Sequence, residues 1–176
     1  MPETRVRFAT AADAGEIVRF VRGLAAFERE PLDRVRLTEE DVRRDGFGAR
    51  PLFEVLIAEQ ATAAGTSAVG FALFFPHYST WEGRAGLYVE DIFVVEEARG
   101  TGAGRALLTA LARLAAERGA PRIDFAVLDW NPARGFYEAL GATHEREWLP
   151  YRMDASAIAR IAREAPPVEG APSTDR

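Results

Sequence analysis

The sequence predicts an α/β domain with a mixed sheet flanked by helices, and three observations carry that prediction. Residues 52–59, 68–75 and 87–95 are rich in β-branched and aromatic side chains and are separated by turn-like stretches around Gly65 and Gly83, as in an antiparallel meander. Ahead of the meander, Ile17, Phe20, Val21, Leu24 and Phe27 recur at helical spacing. Beyond it, helical and strand patterns alternate, which adds layers of helix to the sheet.

The elements follow in order. Residues 4–9 alternate polar and apolar and read as a first strand. Thr10 and Asp13 then have the spacing of a capping box, so a helix follows, buried along one face and reaching about Glu28. Thr38 and Asp41 repeat the signal for a second, short helix, which Gly46 and Gly48 stop. After the meander, residues 99–104 form a glycine-rich turn. Leu107, Leu108, Leu111, Leu114 and Ala115 mark the apolar face of a long helix ending near Gly119. Residues 122–128 read as a strand, Asn131 opens a short helix carrying Phe136 and Tyr137, and residues 148–153 read as a last strand. Residues 165–176 are rich in Pro, Gly and Ser, the composition of a disordered tail, so residues 1–164 are expected to form a single domain.

At 176 residues and 48% hydrophobic content the chain suits one domain with a full core. The longest strongly apolar run, residues 69–75, is far short of the roughly 20 residues of a spanning helix, and the N-terminus has neither a basic start nor an apolar stretch. These features predict a cytoplasmic protein without a membrane segment. Cysteine is absent, which excludes disulfides, thiol catalysis and thiolate metal sites, and His77 and His144 are far apart, so no metal is expected. A net charge of -5 argues against a nucleic-acid surface, where phosphate neutralisation demands a basic excess, and suits a small cationic substrate.

The turn at Arg99, Gly100, Thr101, Gly102, Ala103, Gly104 and Arg105 leads from a strand into a helix. Glycines permit close backbone approach, and a helix start presents unpaired N–H groups with partial positive charge, so the segment forms an anion cradle flanked by Arg99 and Arg105. A P-loop requires a lysine, and the chain has none. A dinucleotide fingerprint spaces its glycines 2 and 3 apart, whereas Gly100, Gly102 and Gly104 are spaced 2 and 2. Arg99, Gly102 and Gly104 at a helix start after a meander resemble the pyrophosphate loop of the GNAT acetyltransferases. The alternative is a turn that uses glycine for geometry alone.

The resemblance extends over nearly the whole chain to Asp154, through residues 9–13, 37–48, 69–72, 87–94, 99–104 and 129–142. It is to the diamine N-acetyltransferases of the spermidine/spermine type. It implies a GNAT fold with a mostly antiparallel central sheet, acetyl-CoA as cosubstrate, a small primary amine as acceptor and a homodimer. It further implies that Ile92, Phe93 and Val94 offer main-chain groups to the pantetheine arm and acetyl carbonyl, with Val94 N–H as oxyanion donor. Tyr137 matches the general acid near the thioester sulfur, Glu90 the base near the amine, and Asn131 a contact to the cofactor. Ordinary readings stand beside these: strand packing for Ile92, Phe93 and Val94, a core tyrosine at Tyr137, a helix cap at Asn131 and strand-end polarity at Glu90. Asp91 faces away from Glu90 in a regular strand, and a bulge between them changes which carboxylate faces the site. Phe27 and Glu28 match positions beside the cationic substrate, and Trp81 can supply an aromatic wall.

The sequence departs from that type in three places. The interval from Asn131 to Tyr137 is one residue short, Ser79 stands where the polyamine enzymes carry an acid, and Arg146 lies near where they carry another. A diamine, a polyamine and a lysine analogue such as thialysine therefore all remain as acceptors. The competing class is a non-catalytic acyl-CoA-binding regulator.

Overall fold

The computed structural model describes residues 2–62, 65–164 and 170. The chain divides into two compact units, Met1–Leu128 and Asp129–Arg176.

The first unit is a five-stranded mixed sheet in the order β1-β2-β3-β4-β5. Its strands are β1 (Thr4–Phe8), β2 (Glu54–Thr62), β3 (Gly65–Ser79), β4 (Arg84–Val94) and β5 (Ile123–Phe125). Neighbours from β1 to β4 are antiparallel, and β5 is parallel to β4. The meander is longer than the pattern of residues indicates, because β3 and β4 continue as a ribbon to Ser79 and Arg84. The strand expected over residues 122–128 is reduced to three residues.

Helices cover both faces. α1 (Ala14–Phe27) follows a short 3-10 turn at Ala11–Asp13, and Thr10 and Asp13 form the expected capping box. α2 (Glu39–Phe47) starts at the Thr38 and Asp41 box and is followed by Gly48. These helices pack on one face against Val55, Ile57, Phe71 and Leu73. α3 (Ala103–Glu117) buries Leu107 and Leu111 against Leu56, Ala58, Phe74, Leu87 and Val89 on the other. Fully burying each such side chain contributes about 1.5–3 kcal/mol, so two apolar faces on one sheet fix both helix layers. Arg7 braces the α1 side, donating to Asp13 at 2.8 Å and to Glu59 at 2.7 Å.

The second unit contains α4 (Arg134–Ala139) and α5 (Ala155–Ala162), the latter capped by the Asp154 carboxylate. The last strand expected over residues 148–153 is absent, and α5, which the pattern reading missed, follows that stretch. Pro150 removes a ladder donor from the segment, and Trp148, Leu149 and Tyr151 are exposed rather than paired. The expected tail, residues 165–176, lies outside the described residues apart from Gly170. Among the described residues no helix is long and apolar enough to cross a membrane.

Candidate active site

β4 is the spine of the site. One edge is paired with β3 throughout, but the other meets β5 only at Leu87, Tyr88 and Val89. Where that ladder stops, a bulge begins: Phe74 faces Val89 and Leu73 faces Asp91, leaving Glu90 as the extra residue. An extra residue bends its strand and raises the local twist. A notch therefore opens along residues 90–94.

The remaining ladder orients the main chain in this notch. Val95 N–H donates to the Val69 carbonyl at 2.9 Å. Strand alternation then turns the N–H and C=O of Ile92 and Val94 the other way, toward the open edge. Gly70 permits the close approach, since a Cβ there would lie 2.6 Å from the Phe93 carbonyl oxygen. The side chains of Ile92 and Val94 pack toward α3, and Phe93 packs toward α1, where Gly23 makes room for its ring.

The bulge also sorts the two carboxylates. Asp91 is two residues from Phe93 and shares its face, the one covered by α1, while Glu90 is exposed. Burial, and then the charges of Glu90 and Glu28, push the Asp91 carboxyl up to about 6. Glu28, which caps the C-terminus of α1, is raised as well, by burial and by Glu30. Among the described residues no arginine forms an ion pair with Glu28, Glu90 or Asp91. An Asp91 carboxyl raised by burial and by two neighbouring carboxylates, without a counter-ion, favours an incoming cation.

The glycine turn follows directly. Gly100 and Gly102 adopt φ +74 and +99, and nothing lies within 4 Å of a Cβ placed on either, so the outer side of the turn is open. Gly102 is the N-cap of α3 and brings no side chain to its first amides, whereas α2 and α5 spend Thr38 and Asp154 on theirs. The uncapped amides and the space around them fit a diphosphate. Arg99 is placed differently from the expected pair of flanking guanidiniums. Its Nε donates to the Val94 carbonyl at 3.1 Å, and its guanidinium lies 4.5 Å from the Phe27 ring centroid. Where β5 no longer supplies donors, that carbonyl takes one from Arg99, and the ring face attracts the same cation. Arg105 stays exposed on α3. Thr101 also turns inward, donating its hydroxyl hydrogen to the Ala98 carbonyl at 2.6 Å.

In the second unit, Tyr137 lies in α4, partly buried, with its ring 5.3 Å from that of Phe136. Asn131 Oδ1 accepts from Ala133 N–H at 2.9 Å, so its oxygen shapes the start of α4 and its amide N–H groups are what it can offer a ligand. Trp81 is 88% exposed in the β3–β4 turn. Glu90 lies six residues beyond the start of β4, about 20 Å of strand, so one chain does not bring Trp81 to the carboxylates. Ser79 is buried, and its hydroxyl accepts from Glu82 N–H at 3.3 Å, closing that turn. Gly70 and the Arg99 contact to Val94 were missed by sequence reasoning. A glycine inside a strand is the one signal that pointed to the first.

The candidate site is thus a bulged strand that parts from its parallel neighbour and leads into a bare glycine turn at a helix start. The chain matches the acetyltransferase (GNAT) family over residues 25–142 and belongs to it. Among its relatives is thialysine N-epsilon-acetyltransferase from Mus musculus, 40% identical over 170 residues, covering 92% of this chain and 99% of that protein. Spermidine/spermine N(1)-acetyltransferase-like protein 1 from Homo sapiens is 36% identical over 167 residues, covering 91% of this chain and 24% of that protein. A solved integron cassette protein from V. cholerae shares the fold, with a TM-score of 0.72 at 22% identity, covering 91% of this chain and 98% of that one.

Proposed function

We propose that this chain is a cytoplasmic, homodimeric enzyme that transfers acetyl from acetyl-CoA to the primary amine of a small lysine-like compound, diamine or polyamine. The two units are taken to act as one acetyltransferase domain. The observation that carries the reading is the parting of β4 from β5 at Glu90, which leaves two carboxyl groups and outward main-chain groups on one strand. Acetyl-CoA supplies an activated acyl group as a thioester when bound. The amides of Gly102, Ala103, Gly104 and Arg105, with Gly100 and Thr101 shaping the turn, hold its diphosphate, and Asn131 adds a contact. Arg99 braces the turn against Val94 and Phe27.

A lysine-like amine has a pKa of about 10.4, so its neutral form at pH 7 costs on the order of 4–5 kcal/mol. Glu28 and Asp91 draw the ammonium in, and Glu90, directly or through a water, takes its proton. Val94 N–H donates to the oxygen on which charge develops. Tyr137 Oη gives a proton to the leaving sulfur. Donation from a phenol of pKa about 10 to a thiolate of about 8.5 is uphill by roughly 2 kcal/mol, a gap that positioning covers.

Among acceptors, a lysine analogue is favoured over a long polyamine. Ser79, at an acidic position of the polyamine enzymes, is buried in a turn and contributes no charge. The 40% identity to a thialysine enzyme supports the same choice. The test is an amine screen with acetyl-CoA that reads free thiol, using putrescine, spermidine, spermine and thialysine. Thialysine is expected to give the highest kcat/KM. CoA binding with no thiol release from any amine would reject the enzyme in favour of an acyl-CoA-binding regulator.

A further inference from the structure

We propose that Gln60 is a positioning residue for the cofactor turn, holding Thr101 from beneath so that the amides after it stand ready for the diphosphate of CoA. The inference rests on the reading of residues 99–105 as that turn. Gln60 follows Leu56 and Ala58 at every second position on the face of β2 that packs toward α3, and it is the polar member of that row. Only 6% of it is exposed. A buried amide must find partners, and where they lie indicates what the side chain holds in place.

Gln60 Nε2 donates to Thr4 Oγ1 at 2.9 Å and to Thr101 Oγ1 at 2.7 Å. The Thr101 hydroxyl has one hydrogen and gives it to the Ala98 carbonyl at 2.6 Å, so toward Gln60 it can only accept. The bonds therefore run in one direction, from the amide on β2 through the hydroxyl to the main chain at the start of the turn. Thr101 sits between Gly100 and Gly102, both in the left-handed region. Two glycines leave this segment more conformational freedom than its neighbours, and Thr101 carries the side chain that ties it down. A turn already held in its binding shape loses less freedom when the ligand arrives, so the tie should appear in cofactor affinity rather than in turnover.

The experiment measures acetyl-CoA KM, kcat and calorimetric CoA Kd for Gln60→Leu, Thr101→Val, the double variant and Thr101→Ser, with Gly102→Val as a probe of the turn itself. Gln60→Leu and Thr101→Val should each raise KM and Kd about tenfold with kcat within about twofold. The double variant should be no worse than either single one, and Thr101→Ser, which keeps the hydroxyl, should behave as wild type. Lower thermal stability with unchanged KM and Kd, or fully additive losses, would overturn the proposal. If Gln60→Leu does not fold, the contrast between Thr101→Val and Thr101→Ser decides. Wild-type CoA affinity in Gly102→Val would sink the reading of the turn and this proposal with it. Weakened binding in Gly102→Val alone would remove only the role of Gln60.

Discussion

Asp91 is shut in beside Glu90 and Glu28 without a cation of its own, and its acidity should govern how the protein responds to pH. Its carboxyl ionises near pH 6 in the folded chain, against an ordinary value of 3.8. The charged form is thus disfavoured by folding, so this residue lowers stability progressively as pH rises from 3.8 to about 6 and by a constant amount above that. Asp91→Asn should therefore unfold later than wild type at pH 7.5, by about 1–3 kcal/mol in urea titrations, with little gain at pH 4. The same variant should lose the acid limb of the kcat/KM profile near pH 6, and an intact limb would show that another group controls it. Tyr137 gives a separate test. Tyr137→Phe should lower kcat by about 10²-fold or more while the acetyl-CoA KM changes little. Unchanged kcat would end its assignment as the acid.

Among the elements, α1 and α2 were the most legible in the sequence. Thr10 with Asp13 and Thr38 with Asp41 mark their starts because a capping box is local, made within four residues. The bulge was not legible, because it belongs to the pairing of β3 with β4 and not to either strand alone. The sequence showed only that the orientation of Glu90 and Asp91 would depend on it. β5 and residues 148–153 were overread for a related reason: apolar and aromatic residues permit a strand, but a strand needs a partner ladder. The main-chain contacts expected of Ile92, Phe93 and Val94 come from resemblance; the ladder turns the groups of Ile92 and Val94 toward the open edge and those of Phe93 toward β3. Packing of α1 on β4 can be tested at Gly23, where a Cβ would come within 2.8 Å of the Phe93 ring. Gly23→Leu should destabilise by about 1–3 kcal/mol in thermal or urea unfolding, and an unaffected midpoint would mean that the helix moves freely over the strand.

The molecule as a whole carries a net charge of -5, and its candidate amine subsite gathers three carboxyl groups. A cationic acceptor should be steered toward such a surface. Raising ionic strength from about 0.05 M to about 0.5 M should lower kcat/KM for the amine severalfold, through KM, because exposed charges are screened beyond a few ångströms at high salt. Salt-independent kinetics would place recognition in contacts other than charge.

Because Glu90 is a one-residue insertion in its ladder, removing it differs from replacing it. With Glu90 deleted, Val89 and Asp91 become successive partners of Phe74 and Leu73, and regular alternation keeps both side chains on the faces they already occupy. The strand can thus gain or shed a carboxylate without rethreading the sheet. The register of the sheet survives that loss, whereas the local bend made by the extra residue does not.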